Sequence, residues 1–255
     1  MSANRTSPTH PRSGPPSQLG GLTIVLPCLD EASNLRDAVR YANDAGERNA
    51  AQHEIVIVDD GSSDETVAIA CELVMRDPRV RLVVHPGNRG YGEALRSGIA
   101  DARQPWVLLI DADLQFVFGD LGDFIPLTPA ADLIVGWRIV PQGPVGQRAG
   151  GALWNRFVRA ALQLPVRDVD CAFRLVRRDL LDRLDLRAGG ALVGAELLVK
   201  SRAAGARVAE VPVHHRPRVA GLQAGAGRRL AARTLRELAE LRRTLRDGGR
   251  LPVGA

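Results

Sequence analysis

Along the first half of the chain, short apolar runs alternate with stretches in which apolar positions recur every three or four residues. Residues 22–26, 55–58, 80–84 and 106–110 have strand character, and residues 34–45, 64–75 and 91–100 carry the helical period. This alternation predicts an α/β fold: a Rossmann-like, mainly parallel central sheet with helices on both faces. In such sheets ligands sit beyond the C-terminal ends of the strands. Three runs end in polar clusters, at 27–31, 59–64 and 111–115, so the topology is expected to gather them at one crevice. After Gln115 the alternation becomes irregular. A strand over 133–137, a Gly/Pro-rich loop over 141–151 and a helix over 154–162 are expected, followed by a helix over 192–203. A strand over 207–213 then ends in His214, His215, Arg216, Pro217 and Arg218. No internal repeat is visible.

With 255 residues, 45% of them hydrophobic and 25% charged, the chain can bury one sizeable core. The domain is expected over 21–220. No apolar run approaches the ~18 residues that span a bilayer. The first 20 residues, with Pro8, Pro11, Pro15 and Pro16 among Ser, Thr and Arg, have no apolar core for a signal peptide and read as a disordered tail. Cys28, Cys71 and Cys171 lie far apart, without zinc or disulfide spacing, which suits a reducing cytoplasm.

Charge is concentrated near the C-terminus. Between 228 and 246 seven arginines face two glutamates, an excess equal to the whole chain's net charge of +5. Leu230, Leu235, Leu238, Leu241 and Leu245 recur there with helical spacing, so 221–255 is expected to form a basic amphipathic helix and tail. Two readings stand side by side: peripheral contact with anionic lipid at the cytoplasmic face, or leucines packed on the domain with solvated arginines. Nucleic-acid binding is disfavoured, because the segment has no aromatic residue to stack on bases.

The chemistry sits at the strand ends. Asp111-Ala112-Asp113-Leu114-Gln115 places two carboxylates and a carboxamide at alternate positions where an apolar run stops. Hard cations such as Mg²⁺ and Mn²⁺ take oxygen ligands, usually one or two carboxylates completed by substrate phosphate oxygens, so Asp111, Asp113 and Gln115 form a candidate metal site. A polar turn after a buried strand is the bland alternative. Asp59-Asp60-Gly61 lies between a strand and a helix that Ser63 or Asp64 can cap; capping leaves the adjacent Asp59 and Asp60 unexplained, and carboxylates there can accept hydrogen bonds from a nucleobase or ribose. The glycines Gly87, Gly90 and Gly92 do not have the spacing of a dinucleotide fingerprint.

Together these residues resemble the family 2 glycosyltransferases of GT-A fold, in particular the dolichyl- and polyprenyl-phosphate sugar synthases, over about 22–221. The opening segment Val25-Leu26-Pro27-Cys28-Leu29-Asp30-Glu31 with Asn34 and Leu35 is similar to that family's first strand and helix start. Val58-Asp59-Asp60-Gly61-Ser62 is similar to its nucleotide-binding turn, and Asn88 and Gly90 with Ala94 and Gly98 to its next loop and helix. Downstream, Gly136-Trp137-Arg138, Asp168 before Phe173-Arg174-Leu175, Glu196, and Glu210-Val211-Pro212 keep the family order. The resemblance implies that Pro27, Leu29, Glu31, Val58 and Asp60 surround base and ribose, and that Asp111, Ala112, Asp113 and Gln115 surround metal and diphosphate. Arg138 and Arg218 would then face phosphate, where a guanidinium suits the charge of a departing diphosphate.

One departure limits the donor. The dolichyl-phosphate mannose synthases carry a lysine where this chain has Ala224, so GDP-mannose is not implied; His214, His215, Arg216 and Arg218 are the nearby sources of replacement charge. The expected function is metal-dependent, inverting transfer of a sugar from a UDP- or GDP-sugar to a polyprenyl or dolichyl phosphate. A hydroxyl acceptor is the alternative, and it needs a general base, for which Asp168, Asp170 and Glu196 are the candidates, Asp168 first. Two other classes fit the sequence less well. A sugar-1-phosphate nucleotidyltransferase would need a Gly-rich, basic N-terminal loop that is not seen, and an inactive sugar-nucleotide-binding module would have no reason to keep Asp111, Asp113 and Gln115.

Overall fold

The computed structural model describes residues 18–139, 145–190, 192–217, 236–239 and 241–243, with backbone alone for 145–149. The first half alternates as the hydrophobic pattern requires. Its elements are β1 (Leu22–Cys28), α1 (Leu35–Asn49), β2 (His53–Asp59), α2 (Thr66–Arg76), β3 (Val80–Val84), α3 (Tyr91–Asp101) and β4 (Trp106–Leu109). Two 3-10 turns, Phe118–Asp123 and Ile125–Leu127, then lead to β5 (Leu133–Arg138), α4 (Val145–Leu162), β6 (Arg174–Arg177), α5 (Arg178–Leu181), α6 (Val193–Ala203) and β7 (Val208–Val213).

All of these strands join one sheet in the order β3-β2-β1-β4-β6-β5-β7. β1 pairs in parallel with β2 and β4, β2 with β3, and β5 with β7, whereas β6 is antiparallel to both β4 and β5. Reversing β6 has a positional consequence. The C-terminal ends of β1, β2, β4, β5 and β7 lie along one edge, and the start of β6 arrives at that same edge with the 168–173 segment before it.

The strands are buried on both faces, which is why they read as unbroken apolar runs. Ile24, Leu26, Ile55, Ile57 and Leu108 pack with α1, α2 and the 3-10 turns, while Val25, Val56, Val58, Val107 and Leu109 pack with α3, α4 and α6. Leu238 and Leu241, the described leucines of the basic C-terminal segment, are buried in the second face, and Arg236, Arg242 and Arg243 are exposed. At these residues the packing reading holds. The rest of that segment, including Ala224, lies outside the described residues.

Three expectations change. The loop expected over 141–151 is helical from Val145, because the core contacts of Val158 and Leu162 carry a helix through Gly146, Gly150 and Gly151, each costing about 1 kcal/mol relative to alanine. The β6 strand went unseen, since four residues beginning and ending in arginine show no clear alternation. The tail expected over 1–20 is too long by its last residues. Leu19 is buried, its amide donates to the Asn49 carbonyl at 2.8 Å, and its carbonyl accepts from the Ala51 amide at 2.8 Å. Residues 1–17 are outside the description.

Close backbone contact at the start of α3 depends on glycine. A Cβ on Gly92 would stand 2.0 Å from the Ala188 carbonyl oxygen, and the Gly92 amide donates to the Gly189 carbonyl at 3.2 Å. Because the obstacle is backbone, Gly92→Ala is expected to cost about 2 kcal/mol or more of stability in urea unfolding. Gly87→Ala, whose added methyl meets nothing within 4 Å, is expected to stay within ~0.5 kcal/mol of the parent.

Candidate active site

Carboxylates stitch the loops at the strand ends together by accepting backbone amides. After β1, Asp30 takes a left-handed φ of 55°, its Oδ1 accepts from the Ser63 amide at 2.7 Å, and its own amide donates to Ser62 Oγ at 2.9 Å. Asp64 Oδ2 accepts from the Ala32 amide at 3.1 Å, and its Oδ1 accepts from the Thr66 amide at 2.9 Å, covering the start of α2. Glu31 is buried, with Oε2 accepting from Asn34 Nδ2 at 2.6 Å. The first two polar clusters are one structural unit.

Asp59 and Asp60 divide their work. Asp59 Oδ2 closes the turn by accepting from the Gly61 and Ser62 amides at 3.0 and 3.1 Å, while its Oδ1 is buried without a hydrogen-bond partner. Asp60 is buried and turned toward the loop after β3, accepting from the Arg89 amide at 2.9 Å and the Gly90 amide at 2.8 Å. His85 Nδ1 lies 2.7 Å from Asp60 Oδ1 and its Nε2 lies 2.9 Å from Ser97 Oγ, so the imidazole bridges that loop to α3. Asp60 therefore shapes the crevice wall from behind. Val58 is fully buried in the core beneath Gly98 and offers no side-chain surface, and Pro27 is buried as well; of the residues expected around a nucleoside, Leu29 is the exposed one.

Beyond β4, Asp111 Oδ1 accepts from the Tyr91 hydroxyl at 2.7 Å. Desolvation, then the charge of Asp113, raise the Asp111 carboxyl to about 7, against opposing help from Tyr91 and Arg174. Leu114 at φ 62° bends the chain so that Asp113 Oδ1 accepts from the Gln115 amide at 3.1 Å. Gln115 is tied to the exit of β7: its Nε2 donates to the Arg216 carbonyl at 3.3 Å, and its carbonyl accepts from the Arg216 amide at 2.7 Å. The crevice is acidic beyond this pair. Burial pushes the Cys28 thiol well up, and the charges of Glu31, Asp59, Asp111 and Asp64 push it further.

These residues fit a hard divalent cation. Asp111 and Asp113 repel one another in a desolvated setting, and a cation relieves that repulsion. Among the described residues no group of three His, Cys, Asp or Glu side chains forms a metal cage, so the chain offers a partial oxygen set of the kind that substrate phosphate and water complete.

The other side of the edge centres on an ion pair. Arg138 Nε and Nη2 reach Asp168 Oδ2 and Oδ1 at 2.7 and 2.9 Å, a bidentate contact. Burial alone would raise the Asp168 carboxyl, but the Arg138 bonds and charge outweigh it and hold the group below its ordinary range. That contact leaves Asp168 a weaker base than a free carboxylate. Glu196 is buried, accepting from the Arg187 and Ala188 amides and from Lys200 Nζ at 2.7 Å. Asp170 differs, since burial and the neighbouring Asp168 charge raise its carboxyl. His215 lies between the halves, its ring edge-on to Phe116 at 5.1 Å; burial, then the Arg138 charge, lower it to about 4. It is neutral near pH 7. Arg218 lies outside the described residues.

Two site residues carried no assigned role in the sequence. Arg174, at the start of β6, is buried, donates from Nε to the Cys171 carbonyl at 2.9 Å, and lowers the carboxyls of both Asp111 and Asp170. Gly194 makes room for its guanidinium. Tyr91 was read only as a helix start, and its one available signal was a lone aromatic in a Gly-rich turn.

The raised Asp111 carboxyl gives a pH prediction for the metal-free protein. Because the folded state holds this proton more tightly than the unfolded chain, the ionised group opposes folding at pH above 7, and the cost fades as pH falls toward 4. In chelator, Asp111→Asn is expected to melt a few degrees above the parent at pH 8 and close to it at pH 4. Equal shifts at both pH values would contradict the assignment.

The family model described as glycosyl transferase family 2 matches residues 23–185. An uncharacterized glycosyltransferase of Mycobacterium tuberculosis is 37% identical over 207 residues, covering 78% of this chain and 87% of the relative. The polyprenol monophosphomannose synthase of Mycolicibacterium smegmatis is 30% identical over 217 residues, covering 80% of each chain. The fold is shared with glucosyl-3-phosphoglycerate synthase of Mycobacterium tuberculosis, at TM-score 0.65 and 19% identity over 86% of this chain and 79% of that one. The sheet is that of the GT-A glycosyltransferases, and the nucleotidyltransferase alternative is set aside. This chain belongs to glycosyl transferase family 2.

Proposed function

We propose that the protein transfers a sugar, with inversion, from a nucleoside diphosphate sugar to a polyprenyl-type lipid phosphate. The observation that carries the acceptor is the Arg138–Asp168 pair. A carboxylate held bidentately below its usual range is poorly suited to taking a proton from a hydroxyl, whereas a phosphate acceptor arrives ionised and needs no strong base. The names of relatives support the same class: the polyprenol monophosphomannose synthase above, and an undecaprenyl-phosphate 4-deoxy-4-formamido-L-arabinose transferase of Enterobacter at 27% identity over 203 residues.

In this reading a phosphate oxygen of the acceptor attacks the anomeric carbon from the face opposite the nucleoside diphosphate, and the sugar–oxygen bond to the diphosphate breaks as the new one forms. Asp111 and Asp113, with Gln115 beside them, would hold Mg²⁺ or Mn²⁺, which neutralises charge on the departing diphosphate. Glucosyl-3-phosphoglycerate synthase, which shares the fold, crystallised with Mn²⁺ and UDP-glucose. Loops 29–31 and 61–63 receive the nucleoside, with Asp60 and Glu31 setting their shape. Arg138 places positive charge near the reacting phosphates, oriented by Asp168, and Arg174 offsets the acidic pair from below.

A hydroxyl acceptor is the second reading, favoured by the raised Asp170 carboxyl. Asp170→Asn separates the two. Transfer to polyprenyl phosphate is expected to persist within about tenfold, whereas a base-dependent reaction would lose roughly 10²–10⁴-fold. The primary test is a screen of UDP- and GDP-sugars for donor consumption with polyprenyl phosphate and Mn²⁺. Activity should require lipid phosphate and fall by at least about 10²-fold in Asp113→Ala. Metal-independent transfer, or full activity in that variant, would refute the site.

A further inference from the structure

We propose that Tyr91 is a positioning residue of the cation site, its hydroxyl fixing the Asp111 carboxylate so that one oxygen faces the metal. This role rests on the reading of Asp111 and Asp113 as cation ligands and assigns what holds the first of them in place. Tyr91 is the first residue of α3, 20 positions before Asp111, and its hydroxyl donates to Asp111 Oδ1 at 2.7 Å. Asp113 is held within its own turn, by the Gln115 amide at 3.1 Å; Asp111 is held across the crevice, by the phenol.

The hydroxyl has a specific effect on the pair. Repulsion from Asp113 would turn an unheld Asp111 carboxylate away from the place where a cation needs it, and a hydrogen bond to Oδ1 opposes that rotation. The bond takes one oxygen and leaves Oδ2 to the metal. Because the donor is neutral, it adds no positive charge to compete with the cation. The ring packs on the core face shared by α3, α4 and α6, and packing by itself would be met equally well by phenylalanine.

The backbone on both sides of Tyr91 is fixed from behind. The Gly92 amide donates to the Gly189 carbonyl at 3.2 Å, and Arg96 Nη1 donates to the Ala188 carbonyl at 2.8 Å. Gly90, at φ 102°, lies so close that a Cβ there would stand 2.6 Å from the Gly189 carbonyl oxygen. Glu196 Oε2 in turn accepts the Arg187 and Ala188 amides at 2.8 and 2.7 Å, so the segment that seats α3 is itself tied to α6. A phenol on so constrained a backbone presents its oxygen at one place, which is what orienting a metal ligand requires.

The test is Mn²⁺ binding to the full chain without donor or acceptor, followed by electron paramagnetic resonance. Tyr91→Phe keeps the ring and loses only the hydroxyl. It is expected to bind Mn²⁺ at least about tenfold more weakly than the parent, the usual effect of removing an outer-shell partner. Tyr41→Phe, at the chain's other tyrosine, should match the parent. Mn²⁺ should also perturb the tyrosine absorbance band of the parent and of Tyr41→Phe, but not that of Tyr91→Phe. A merely structural hydroxyl would lower the melting temperature and leave Mn²⁺ affinity unchanged. Asp113→Ala reads the underlying site separately. If it loses Mn²⁺ binding while Tyr91→Phe keeps the parent's affinity, the positioning role fails and the cation site stands. Absence of binding by the parent, or unchanged binding in Asp113→Ala, overturns the cation site and the positioning role with it. Tighter binding by Tyr91→Phe, or a tyrosine band indifferent to Mn²⁺, would also overturn the proposal, since the hydroxyl would then compete with the metal or stand apart from it.

Discussion

Negative charge gathered at the ends of buried strands is the constraint on which the rest of this structure depends. Glu31, Asp59, Asp60, Asp111 and Asp113 reach one edge from three strands, and the chain accommodates them by giving most of them backbone amides to accept. A carboxylate that accepts two or three amides is stabilised where it stands and fixes the loops that supply them. Asp111 and Asp113 still repel one another, and with desolvation this raises the Asp111 carboxyl despite the Tyr91 hydroxyl and the Arg174 charge.

Reversal of one strand balances this arrangement. Because β6 runs against its neighbours, it begins rather than ends at the crevice, and Arg174 enters the acidic neighbourhood from beneath. The same reversal delivers Asp168 and Asp170 just before it, so the ion pair with Arg138 at the end of β5 closes across adjacent strands. Glu196 and the glycines Gly90 and Gly92 serve this half at one remove. Glu196 holds the 187–188 backbone, and the two glycines let that segment lie against the start of α3.

The division between the two sides follows the proposed chemistry. An acidic, loop-bound side suits a cation and a diphosphate, and a side with an arginine held in fixed orientation suits a second phosphate. Asp168, a candidate base by sequence, is instead found paired bidentately with Arg138, which lowers its carboxyl.

Hydrophobic periodicity alone determined the alternating first half and the strand ends at which polar clusters gather, because parallel strands buried on both faces must be continuously apolar and must stop where polarity begins. It left four other things open. The β6 strand is too short to show a period, and glycines hid the first turns of α4. The inward turn of Asp60 and the burial of Val58 depend on which face a strand end presents. What Tyr91 and Asp168 touch was decided only by tertiary structure, since hydrogen-bond partners 20 and 30 residues apart, and the desolvation that shifts a carboxyl, exist only once the sheet has assembled.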